Sequence, residues 1–171
     1  MRRFSHFGRA AVLAIALICA APVSAAAADP LPVGGYPPYP TWREQVFDLV
    51  VRQTQASAID VGTPGPSQGD EFVISGDLLQ GTATVGTFGE VCTLTRVGPA
   101  VDSFDQQCVA TFVLPDGQIT IQGLISVTAA GTGDINIAIT GGTGRYRTAH
   151  GFVHAVNANS TDTAVTVHLI H

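Results

Sequence analysis

From residue 45 onward, apolar side chains recur at every second position in short bursts, and turn-forming residues separate the bursts. Ile119, Ile121 and Gly123 share one face of such a run, with Thr120 and Gln122 on the other. Ile135, Ile137 and Ile139 likewise oppose Asn136 and Ala138. A period of two marks a half-buried β-strand. The pattern predicts strands over Phe47–Ala58, Glu71–Leu79, Val91–Val97, Gln107–Leu114, Gln118–Val127, Ile135–Thr140, Ala149–Asn157 and Ala164–Ile170, with no helical period among them. One apolar face per strand is what an antiparallel sheet with a single buried side produces. Closing about eight such strands on themselves removes the exposed edges. The expected fold class is therefore all-β, an eight-stranded antiparallel β-barrel.

The turns fit hairpins in chain order. Pro115-Asp116-Gly117 is turn chemistry between two runs. Residues 98–105 join the Val91 and Gln107 runs, and a hairpin symmetric about Ala100 sets Cys92 opposite Cys108. A non-hydrogen-bonded antiparallel pair brings Cα atoms to about 4.5 Å, within disulfide reach. The pattern predicts a Cys92–Cys108 disulfide, worth about 3 kcal/mol by loop closure.

The first residues belong to no strand. Arg2, Arg3 and Arg9 precede an apolar run, and small residues at A-x-A spacing follow up to Ala28. That order predicts a secretory signal peptide over residues 1–28, hence a secreted protein. The apolar run is too short to span a membrane stably. Residues 29–43, dense in Pro, Gly and Tyr, read as an extended linker, and residues 44–171 as the barrel domain. Removal of residues 1–28 takes three of the eight basic residues and none of the thirteen acids, leaving a formal charge of −8. Such a balance excludes a nucleic-acid partner, which needs a basic footprint. No lysine is present, which excludes Schiff-base chemistry. Cys92 and Cys108 are the two cysteines that remain, and an oxidising compartment favours their pairing.

Other motifs weigh less. Gly65-Pro66-Ser67-Gln68-Gly69 has the spacing of a nucleophile elbow, but proline flanks the serine and a strand follows it. Gly141, Gly142 and Gly144 lack the lysine and helix of a phosphate loop and fit a structural turn between strands. If the last two strands pair about Thr161, His154 faces His168. No Cys or acid completes a metal set there, so these are expected to be surface histidines. Asp48 is the notable acid: it sits in VFDLVV, amid apolar neighbours. An acid facing a lumen would have a raised pKa and could transfer protons.

GGTGRYRTAHG, residues 141–151, resembles the GGTG-(K/R)-(F/Y)-R-x-A-R-G signature of dirigent proteins and the ITGGAG…G segment of allene oxide cyclases. Gly89-Glu90-Val91-Cys92-Thr93-Leu94, Asp116–Gly123, Gly69-Asp70 and Val46-Phe47-Asp48 resemble further segments in the same order. The resemblance spans about Phe47 to Ile170 and implies a calycin-like barrel open at one end, often a homotrimer. The cyclases use a first-strand Glu, an Asn two residues on, a Cys and a Tyr. The corresponding positions here are Asp48, Val50, Cys92 and, near the Tyr, Ile125. Dirigent proteins use a first-strand Asp. The resemblance thus implies Asp48 as acid/base, with Val50, Cys92 and Ile125 lining the lumen, while the changed residues argue against the plant cyclase reaction itself. The expected function is binding of an apolar or aromatic small molecule in the lumen, with its cyclisation, isomerisation or coupling steered there, without cofactor or metal. The other reading is a non-catalytic ligand-binding or envelope module on the same barrel. Several polar groups converging on Asp48 would favour the first, and a small, wholly apolar or filled lumen the second.

Overall fold

The computed structural model of the chain describes residues 43–100 and 102–170. The expected signal peptide and residues 29–42 of the linker lie outside the described residues. Eight strands follow one another around a closed barrel: β1 (Glu44–Ile59), β2 (Glu71–Gln80), β3 (Ala83–Val97), β4 (Phe104–Leu114), β5 (Gly117–Val127), β6 (Ile135–Gly142), β7 (His150–Asn157) and β8 (Asp162–Ile170). Every neighbouring pair is antiparallel, and β8 returns to pair with β1 from Glu44↔Ile170 to Arg52↔Asp162. The predicted architecture is the observed one. Among the described residues no helix is long and apolar enough to cross a membrane.

Alternation decides which side chains fill the barrel. Val165, Val167 and Leu169 of β8 point inward and are buried. Their partners on β1 are Leu49, Phe47 and Gln45, so the odd-numbered residues of that part of β1 share the inner face. β1 alone could not reveal this, because both faces of VFDLVV carry apolar side chains.

β3 begins at Ala83, eight residues before the predicted start. Thr84, Gly86, Thr87 and Gly89 dilute the apolar alternation there, and only Phe88 is a fully buried apolar residue of the stretch. A bulge between Gln53 and Gln55 re-aims β1, whose remaining residues run on to Ile59 as an exposed extension paired with β2.

The end of the barrel near Phe88 and Phe112 is filled by Leu78, Ile119, Tyr146, Ala149 and Leu169. The glycine stretch forms a corner at that end. Gly141 has φ +154° and Gly144 φ +59°, a short 3₁₀ turn spans Gly144–Tyr146, and Arg145 N–H donates to Asp116 O at 2.9 Å. A Cβ on Gly142 would overlap the carbonyl oxygens of Gln118 and Tyr146. Gly141, Gly142 and Gly144 shape this corner, and Arg145 lies 3.6 Å from Asp116.

Candidate active site in the barrel lumen

A cavity of about 270 Å³ occupies the other half of the barrel. Phe88, Phe112 and Ile121 border it towards the filled end, and Ile125, Ile137, Val153 and Ala155 line its walls. Gln53, Thr132, Asn157, Asn159, Thr161 and Thr163 surround it where β1, the β5–β6 connection and the β7–β8 loop meet. Its size is just under the roughly 300–1,000 Å³ usual for small-molecule sites.

Glu90 on β3 is the lumen acid. It shares the inward parity of Phe88, Cys92 and Leu94, all buried, and it lines the cavity. Burial disfavours its charged form and raises its pKa above the ordinary value of 4.5. Among the described residues that line the cavity, no other side chain is ionisable once Cys92 is bonded. Its Oε1 lies 3.4 Å from Cys92 Sγ. A disulfide sulfur carries no proton, so only the protonated carboxyl can donate in this contact.

Cys92 and Cys108 are directly paired across β3 and β4 and form a disulfide with Cα atoms 4.0 Å apart, as predicted. Their sulfurs and a Glu90 carboxyl oxygen lie within 4.8 Å of one another. Thiolates, not disulfide sulfurs, bind metals, so the set as it stands does not fit an ion. Gly123 lies opposite Cys108 on the adjoining strand, with no side chain to add to the crowding of this layer. Ile125 is buried and lines the cavity. Gln106 also borders the cavity, and its Oε1 is buried without a hydrogen-bond partner.

Asp48 and Val50 are corrected. Both have the outward parity of β1: Asp48 is exposed and accepts a 2.7 Å hydrogen bond from Thr166 Oγ1 on the outer wall. They border a separate outer depression with His154, Val156, Ala164 and Thr166. The physical reason is the β8 register, which turns Leu49 and Val51 inward instead. His154 faces Thr166, not His168. The β7–β8 loop is centred one residue earlier than the symmetry about Thr161, because Asn159 Oδ1 accepts from the N–H groups of both Thr161 and Asp162. His154 instead approaches Asp134 at 3.6 Å, and His168 pairs with Glu44 at 2.8 Å.

Sequence reasoning missed the inward position of Glu90. A usable signal was present: a disulfide between adjacent strands that shares its face with Phe88 and Leu94 puts residue 90 on the inner face as well.

Residues 48–169 match the family described as allene oxide cyclase barrel like domain. The chain belongs to that family. Its similarity to solved structures agrees. A pyocyanin demethylase is 30% identical, aligned over 73% of this chain and 99% of its own, with a TM-score of 0.65. A Diels–Alderase from Streptomyces koyangensis shares the fold at 17% identity, over 77% of this chain and 69% of its own, with a TM-score of 0.60. A pterocarpan synthase dirigent protein does so at 18% identity, over 77% and 94%, with a TM-score of 0.52. No curated protein sequence matches the chain. Within the family fold, the lumen acid of this chain is carried on β3, while its first-strand acid faces outward.

Proposed function

We propose that the protein binds a small apolar or aromatic molecule in its lumen and that Glu90 passes a proton to or from it in an isomerisation or cyclisation. One observation carries this: among the described residues the lumen holds a single ionisable side chain, and burial raises its pKa above the ordinary carboxylate value. In such a step the protonated carboxyl gives its proton to a carbonyl oxygen or ring nitrogen. The carboxylate then takes a proton from another atom of the same ligand, so atoms and electrons balance without a co-reactant. The apolar walls would hold the ligand in one reactive conformer. The relative named for pyocyanin supports a small-molecule ligand, and the Diels–Alderase supports use of this barrel for cyclisation.

The test is ligand capture from extracts, followed by turnover of the captured molecule. Glu90→Gln is expected to keep the fold and the affinity and to abolish conversion. Full conversion by that variant overturns the acid/base role. Binding without conversion by the wild type leaves the non-catalytic module. We also propose export through the N-terminal pattern and assembly as a homotrimer. The exposed valines Val73, Val91 and Val109, adjacent across β2, β3 and β4, support self-association on the outer wall. Light scattering on the mature chain measures the assembly.

A further inference from the structure

The polar groups around the cavity are unequal in kind. Deep inside stands one carboxyl, Glu90, and among the described lining residues there is no Arg, Lys or His. The mouth is polar but uncharged. Thr163 Oγ1 donates to Asn157 Oδ1 at 3.1 Å, and Asn157 Nδ2 donates to Thr132 Oγ1 at 3.3 Å, so the rim is organised before any ligand arrives. Between the two lies Gln106, whose carboxamide oxygen has no donor. It pairs with Leu94, four residues beyond Glu90 on β3, which puts its level roughly 13 Å along the strand from the acid.

We propose that this lumen discriminates by charge and by one hydrogen bond: its ligand is a neutral or basic molecule, apolar where it meets the Ile125, Ile137 and Val153 walls, with an N–H or O–H group that Gln106 accepts near the mouth. This inference rests on the lumen-binding reading and specifies its ligand class. An anion would lose its hydration in an apolar chamber that offers no cation in return. A buried acceptor without a donor is an unmet demand that a ligand donor can fill. The terminal torsion of glutamine is broad, so a modest rotation turns the oxygen toward the cavity. An apolar cavity of about 150 Å³ admits benzene, so this one suits a ligand on the order of two fused rings.

Three matched probes test the inference by calorimetric titration at neutral pH: 2-naphthol, 2-methoxynaphthalene and 2-naphthoate. The expected order is naphthol tighter than methoxynaphthalene by about tenfold, one hydrogen bond's worth, with naphthoate weakest. Gln106→Leu is expected to equalise the two neutral probes. Without ligand, the same variant should melt about 4 °C higher, because an unpaired acceptor has gone. Naphthoate binding as tightly as naphthol, or a naphthol preference that survives Gln106→Leu, overturns the inference while lumen binding stands. An unchanged or lowered melting temperature also overturns it, by showing that the oxygen was already satisfied. If none of the probes binds, or if Ala155→Phe, which fills the cavity, leaves their binding intact, the lumen-binding reading itself fails.

Discussion

Glu90 and Asp48 show how one residue's surroundings decide its chemistry. Asp48 lies in water beside Thr166, while Glu90 lies among Phe88, Ile121 and the disulfide. Glu90 is the group whose stability effect should be visible. Its folded pKa is raised, so the native state holds its proton above pH 4.5, where the unfolded chain has released it. Stability therefore falls as pH rises from about 4.5 to the folded pKa and levels off beyond. Glu90→Gln should remove that slope, and thermal melts of both proteins across the window measure it. Asp48→Asn should leave both ligand affinity and turnover at the wild-type level, and a loss of turnover without a loss of binding would return Asp48 to the mechanism. At this scale the sequence was legible only in part. The acid amid apolar letters drew attention to VFDLVV, yet alternation within a strand does not say which face is inside. Glu90 looked ordinary because its exposed neighbours Gly89 and Val91 broke the apolar pattern.

At the scale of elements, the disulfide and the glycine corner are the features with measurable weight. Cys92–Cys108 closes a hairpin with a sequence separation of 16. Replacing both cysteines by alanine should cost about 3 kcal/mol in denaturant unfolding, and peptide mapping without reductant should find them joined. Gly142→Val forces a side chain against two carbonyl oxygens, so a lowered melting temperature without any nucleotide-binding defect is expected. Strand identity and order were legible because period-two alternation and turn residues are local signals. Register was legible where a turn or covalent bond fixed it, as at Cys92 and Cys108. It was not legible at β7–β8, where side-chain hydrogen bonds from Asn159 shift the loop centre by one residue and every cross-strand partner by two. The first half of β3 was missed because its inner face carries Gly86 before Phe88, which leaves no apolar alternation to read.

The barrel joins a filled end to a hollow one. Its acids also act in opposition. Hydrogen bonds lower the pKa of Asp70, chiefly from the Val61 and Ser67 N–H groups, of Asp105 from Ser126, and of Asp162 from Arg52. Their contribution is present above the ordinary aspartate value of 3.8 and is lost as pH falls through the lowered values. Together with Glu90 this predicts maximal stability in mildly acidic solution, with the melting temperature declining on both sides. The central claim, however, is that the hollow end receives a ligand. Native mass spectrometry of the mature chain, after exposure to a metabolite extract, tests it most directly, with Ala155→Phe and Asp48→Asn measured alongside. The account predicts one small-molecule adduct on the wild type and on Asp48→Asn, and none on a folded Ala155→Phe. An adduct that persists when the lumen is filled, or one that vanishes with Asp48→Asn alone, would contradict it.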